Sequence, residues 1–152
     1  RAAGGEGTGA SCHLPGGDHT VRGTADRAWL RASVAIDVAR DGAGARFTVR
    51  SVGVGHALPS GDLFRRLTLD VDRGEGFVTA ATFGRSFALD GEVKVQRADT
   101  SLQPGEPRQV TVDAVPPGAR WRLRWHDGAV HDEQRGWVDP ETIVADLATG
   151  AL

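Results

Sequence analysis

Six short runs of this chain alternate apolar and polar residues, and that alternation constrains the fold more than any other feature. Val34, Ile36 and Val38 are spaced by two, as are Phe47 and Val49. The same spacing recurs at Leu67, Leu69 and Val71, at Val93 and Val95, at Val110 and Val112, and at Trp121, Leu123 and Trp125. Successive side chains of a strand point to opposite faces, so a period of two marks a strand with one face buried. Turn signals separate the runs at Asp41-Gly42, Arg73-Gly74, Asp90-Gly91, Pro104-Gly105, Pro116-Pro117-Gly118 and Asp127-Gly128. Short strands with regular turns predict an all-β fold, a single antiparallel β-sandwich. Strands are expected at 34–38, 47–49, 67–71, 93–95, 110–112 and 121–125. Val34, Ile36, Val38, Val49, Leu67, Leu69, Val110, Val112 and Leu123 are expected to be largely buried.

The two ends of the chain read differently. Residues 1–23 form an extended Gly-rich arm with a Cys/His segment, and 24–152 form the sandwich domain. A short helix is expected from Thr24 to about Leu30, with Thr24 as N-cap. The tail from Pro140 to Leu152 fits a short helix capped by Asp139, with Pro140 at its first position, or a last strand. There is no internal repeat, and 152 residues suffice for one domain with a proper core.

Composition excludes several functions. A net charge of −2 gives no broad attraction to nucleic acid or to an anionic membrane. No stretch reaches the length of a transmembrane helix. A start at Arg1 without a hydrophobic leader fits a processed secreted chain as well as a shortened one. The single Cys excludes an intramolecular disulfide, a Cys-rich zinc site and an iron–sulfur cluster held by four cysteines. With no Met in the chain, a Met axial ligand is excluded too. Ser60 and Ser101 lack a nucleophile-elbow context, and the Gly-rich arm follows no strand, so it is not a phosphate loop. No catalytic constellation emerges, and the chain is expected not to be an enzyme.

Five histidines remain as chemistry: His13, His19, His56, His126 and His131. His126 and His131 flank a turn and read as ordinary solvated loop residues. The stripe Arg120, Arg122, Arg124 reads as the wet face of a strand whose other face bears Trp121, Leu123 and Trp125. His13, His19 and His56 lie beside glycines, where a mobile backbone lets imidazole approach a metal. Cys12 adds a soft sulfur donor. The dipeptide Cys12-His13 is also the second half of a c-type haem-attachment motif, Cys-x-x-Cys-His, with Gly9 at the place of the first Cys.

The succession Cys12-His13-Leu14-Pro15, His19-Thr20-Val21-Arg22-Gly23 and Gly55-His56-Ala57-Leu58-Pro59-Ser60-Gly61-Asp62 resembles the C-terminal part of secreted bacterial multihaem c-type cytochromes. There a last Cys-x-x-Cys-His-Met-Pro site precedes His-x-Phe-x-Gly, and a β-sandwich follows with a Gly-His-x-x-Pro-Thr-Gly loop. The agreement continues through Phe64-Arg65-Arg66-Leu67, Phe83-Gly84-Arg85 and Leu102-Gln103-Pro104-Gly105-Glu106. The resemblance implies that His13 is a proximal iron ligand and Cys12 a thioether cysteine. It implies that His19 and His56 ligate from another side. This chain departs from the pattern at Gly9 and Val21, and having no other Cys it holds no multihaem array.

Three readings follow. A transition-metal ion, copper or zinc, is held by Cys12, His13, His19 and His56. Alternatively, a single haem c is attached through Cys12, with Cys12, His13 and His56 as its binding residues, and serves electron transfer with a redox partner. In the third reading the sandwich is a structural subunit of a homo-oligomer or filament, with the arm at residues 1–11 lying on a neighbour. The missing thiol halves covalent attachment and leaves ion binding intact, which places the bare ion ahead of haem. An extracytoplasmic location, periplasmic, cell-surface or secreted, belongs to all three.

Overall fold

A computed structural model describes residues 26–61, 64–127, 130–132, 136–138 and 143–152. The first element is a short helix, α1 (Arg27–Ala32). Asp26 is its N-cap, and the carboxylate accepts a hydrogen bond from the Trp29 amide at 2.9 Å. The expected cap, Thr24, lies outside the described residues, and the helix begins later than the sequence suggested. An Asp at the cap satisfies one of the free amides of the first turn. This register buries Leu30, at 1% exposure. At the C-terminal end, Arg31 Nε donates to the Asp146 carbonyl at 3.1 Å, fastening the helix to the last strand.

The strands are β1 (Val34–Asp41), β2 (Gly44–Ser51), β3 (Arg66–Asp72), β4 (Phe77–Asp90), β5 (Val93–Asp99), β6 (Arg108–Val112), β7 (Arg120–His126), β8 (Val130–Asp132), β9 (Gly136–Val138) and β10 (Ile143–Ala151). One sheet has three strands in the order β1-β2-β6, and the other has five in the order β10-β7-β3-β4-β5. All pairings are antiparallel. β8 and β9 make a separate hairpin. The fold is therefore all-β, as the alternation predicts.

The core lies between the two sheets. Ala45, Phe47, Val49 and Val112 come from the smaller sheet; Leu67, Leu69, Val71, Phe83, Trp121, Leu123 and Trp125 come from the larger. Phe47 meets Trp121 edge to face across the gap, with ring centroids 6.0 Å apart. That is a favoured aromatic geometry.

Every expected run is a strand, and Val49, Leu67, Leu69, Val112 and Leu123 are buried. Val34, Ile36, Val38 and Val110 are only half-buried, although they pack on the core. The reason is topological: β1 and β6 are the edges of the three-stranded sheet, where among the described residues one flank of each strand lacks a neighbour. The long strand β4 was not anticipated, nor was the β8–β9 hairpin. The open choice at the C-terminus resolves to a strand, because β10 pairs with β7 from Ile143 opposite His126 to Ala151 opposite Arg120.

Candidate metal centre

The His56 loop closes one end of the sandwich. It leaves β2 at Ser51 and reaches β3 at Arg66. Three polar side chains and a backbone bridge anchor it. Leu58 and Leu102 exchange both backbone hydrogen bonds, at 2.9 and 2.8 Å. The Ser51 hydroxyl donates to the Gln103 carbonyl at 3.3 Å. Arg65 Nη1 donates to the Ser60 carbonyl at 3.2 Å, and Arg65 Nε donates to Asp127 Oδ1 at 3.0 Å. Arg85 Nη2 donates to the Gly61 carbonyl at 3.3 Å. Buried Leu58 and Leu102 join the core beneath, so the loop rests on packed apolar residues.

His56 is half-buried in this loop. Its Nδ1 lies 3.0 Å from the Ala57 carbonyl oxygen. A carbonyl only accepts, so Nδ1 carries the proton in this contact. A hydrogen bond of this kind sets the tautomer of a metal-ligating imidazole and raises its basicity.

The other proposed ligands, Cys12, His13 and His19, lie outside the described residues, as do Asp62 and the arm at 1–23. Among the described residues, no group of three or more His, Cys, Asp or Glu side chains could hold a metal ion. The described part of the chain thus brings one candidate donor, His56, into a fixed setting. His131 has its backbone in β8.

His126 corrects its reading as a solvated loop residue. It is the last residue of β7, only 6% exposed, with Nε2 2.9 Å from the Thr68 hydroxyl. It sits on the outer face of the five-stranded sheet, at the same end as the His56 loop.

The arginine stripe also departs from a simple wet face. Arg120 is exposed, whereas Arg122 and Arg124 converge on Asp70, which is 1% exposed. Arg122 Nε is 3.2 Å and Arg124 Nε 2.6 Å from Asp70 Oδ2. The Thr79 hydroxyl donates to Asp70 Oδ1 at 2.8 Å. A bulge in β4 creates that contact. The register slips between Leu69 opposite Ala81 and Asp70 opposite Thr79, so a hydroxyl rather than the Ala80 methyl faces the carboxylate. Burial alone would raise the Asp70 pKa. The Thr79 hydrogen bond, the Arg124 charge and the bonds from Arg122 and Arg124 outweigh it and hold the carboxyl below its ordinary value.

This cluster had a signal in the sequence. Asp70 and Asp72 alternate with Leu69 and Val71, just as the arginines alternate with Trp121, Leu123 and Trp125. Opposite charges on matching faces favour neighbouring strands. β3 does pair with β7, with Asp70 opposite Arg122.

No protein-family model matches this chain, and no curated protein does. Among solved structures, the chain is similar to a penta-heme cytochrome c552 from Thermochromatium tepidum, with a TM-score of 0.67 and 21% identity. The match covers 98% of this chain and 48% of the cytochrome, so the chain spans about half that protein's length. The finding establishes a shared fold, and it agrees with the cytochrome resemblance drawn from the sequence.

Proposed function

We propose that this chain is the β-sandwich portion of an extracytoplasmic, cytochrome-like electron-transfer protein, and that it is not an enzyme. In this reading His56 supplies one imidazole to a metal centre that also uses Cys12 and His13, with His19 as a further donor. The observation that carries it is the His56 ring. Its Nδ1 proton is directed at the Ala57 carbonyl, an outer hydrogen bond of the kind that orients a metal-ligating imidazole. The donor set fits one haem incompletely: the imidazoles suit iron, but the only Cys provides a single thioether. When bound, haem would supply a one-electron couple. The chain's part is to hold imidazole in a set orientation against a packed loop.

The likeness to a penta-heme cytochrome over 98% of this chain favours haem over a bare ion. It reverses the order suggested by the missing thiol. A copper or zinc ion on Cys12, His13, His19 and His56 remains the second reading, favoured by Gly9 at the first thiol position.

An absorption spectrum of the purified, reduced protein, with elemental analysis, separates the two. Sharp Soret and α bands support haem; a colourless protein with stoichiometric copper or zinc supports the ion. Replacing His56 by Ala is expected to weaken binding of either by at least about tenfold, the scale on which even indirect partners of a metal act. Unchanged metal and haem content in that variant overturns the role of His56.

A further inference from the structure

We propose that Arg65 is the positioning residue that ties the His56 loop to the end of β7 and thereby steadies the His56 ring. The consequence for a metal centre rests on the reading of His56 given above; the holding of the loop does not.

Arg65 makes its two contacts in two different parts of the chain. Nη1 takes the Ser60 carbonyl from the loop, and Nε takes the Asp127 carboxylate, one residue beyond the end of β7. A guanidinium serves both at once because its donors fan out in a rigid plane, whereas a Lys ammonium is a single point charge. The Arg65 side chain is 24% exposed, so its ion pair is shielded more than a surface pair would be. Arg85 takes the next carbonyl, Gly61, from the neighbouring strand. Two successive loop carbonyls are thus each held by a guanidinium.

The backbone leaves room for this. Gly61 has φ +86°, and a Cβ there would collide with Arg65 Nη1. Gly84, on β4, pairs with Arg66 at the start of β3. A Cβ at Gly84 would come within 3.0 Å of the Arg65 carbonyl oxygen and 3.2 Å of Arg66 Cβ. One glycine lets the guanidinium reach the loop, and the other lets the Arg65 backbone settle onto the sheet. The Leu58–Leu102 backbone pair fixes the loop between Ala57 and the carbonyls of Ser60 and Gly61. With Arg65 removed, the loop keeps that anchor but loses its tie to β7.

The test is amide hydrogen exchange of residues 55–61 in the full chain, alongside binding of haem and of copper or zinc. Arg65→Ala is expected to speed exchange in the loop by about tenfold and to weaken binding by about tenfold, while amides of β3 and β7 stay protected. Asp127→Ala changes a more exposed residue at the other end of the same contact, and serves if Arg65→Ala fails to fold. The double variant is expected to exceed neither single variant by much, as partners in one contact are non-additive. Arg65→Lys should restore only part of the protection. Loop exchange unchanged in both Arg65→Ala and Asp127→Ala overturns the proposal. Binding unchanged in Arg65→Ala but reduced in His56→Ala overturns its extension to the metal centre. Binding unchanged in His56→Ala removes that reading of His56 alone, and the exchange data then judge Arg65 by themselves.

Discussion

On the three-stranded sheet Asp37 pairs with Arg50 and Asp41 with Arg46, with 66% of the Asp37 side chain in water. On the five-stranded sheet the same two residue types meet at Asp70, Arg122 and Arg124, with the Asp70 side chain 1% exposed. The chemistry is alike and the energetics are not. An exposed pair exchanges one solvated state for another and contributes about 0–1 kcal/mol. A buried carboxylate depends on its partners, because water cannot replace them. The outer face of the larger sheet is therefore a second structural interior, polar where the inter-sheet core is apolar. Asp70 and Leu69 are neighbours on one strand and serve these two interiors.

That contrast can be broken at its strongest point first. Leu69 is fully buried among both sheets. Leu69→Ala is expected to cost about 3–4 kcal/mol in urea unfolding, from lost apolar contact and the cavity left behind. A cost under about 1 kcal/mol would mean that the core collapses into the gap.

Asp70→Asn comes next, at about 3 kcal/mol, because it keeps the shape and leaves two largely shielded guanidinium groups without their counter-charge. The sign of its pH dependence follows from the lowered pKa. A carboxyl whose pKa is depressed by folding adds stability above its unfolded pKa of about 3.9 and loses it as pH falls through the lower folded value. The wild-type protein should therefore lose stability below about pH 4. Asp70→Asn should lose less over the same range. Some acid loss should persist, since Asp72 is held low by the Gly74 amide and Arg120, and Asp99 by Ser101. Parallel pH profiles for the two proteins would show that Asp70 is not a buried partner at all.

Asp37→Asn marks the other side of the comparison. It should change stability by less than about 0.5 kcal/mol, and the small effect should vanish in high salt. A loss comparable to that of Asp70→Asn would erase the distinction between the two faces.

Local pattern in the sequence was enough to announce most strands, and the reason is solvent. A face that meets the core must be apolar at every second residue, as in Leu67, Leu69 and Val71 or Trp121, Leu123 and Trp125. β4 escaped because its pattern breaks at the Ala80 bulge and passes through small residues before Gly84. The His56 loop was legible as a Gly-His-x-x-Pro-Ser-Gly-Asp string, but its seat was not. Arg65 and Asp127 are 62 positions apart, and only the antiparallel pairing of β3 with β7, which sets Arg66 opposite His126, brings them together.

The sequence by itself determined the all-β class, the inward-facing apolar residues and the His56 loop as a candidate donor, since each is written in neighbouring residues. Tertiary structure alone decided the strand order β10-β7-β3-β4-β5, the strand state of the C-terminal tail and the burial of Asp70 and His126. These depend on pairings between distant segments. The tail settles as a strand because β7 offers an unpaired edge, and a charged stripe becomes an interior because an opposite stripe lies beside it.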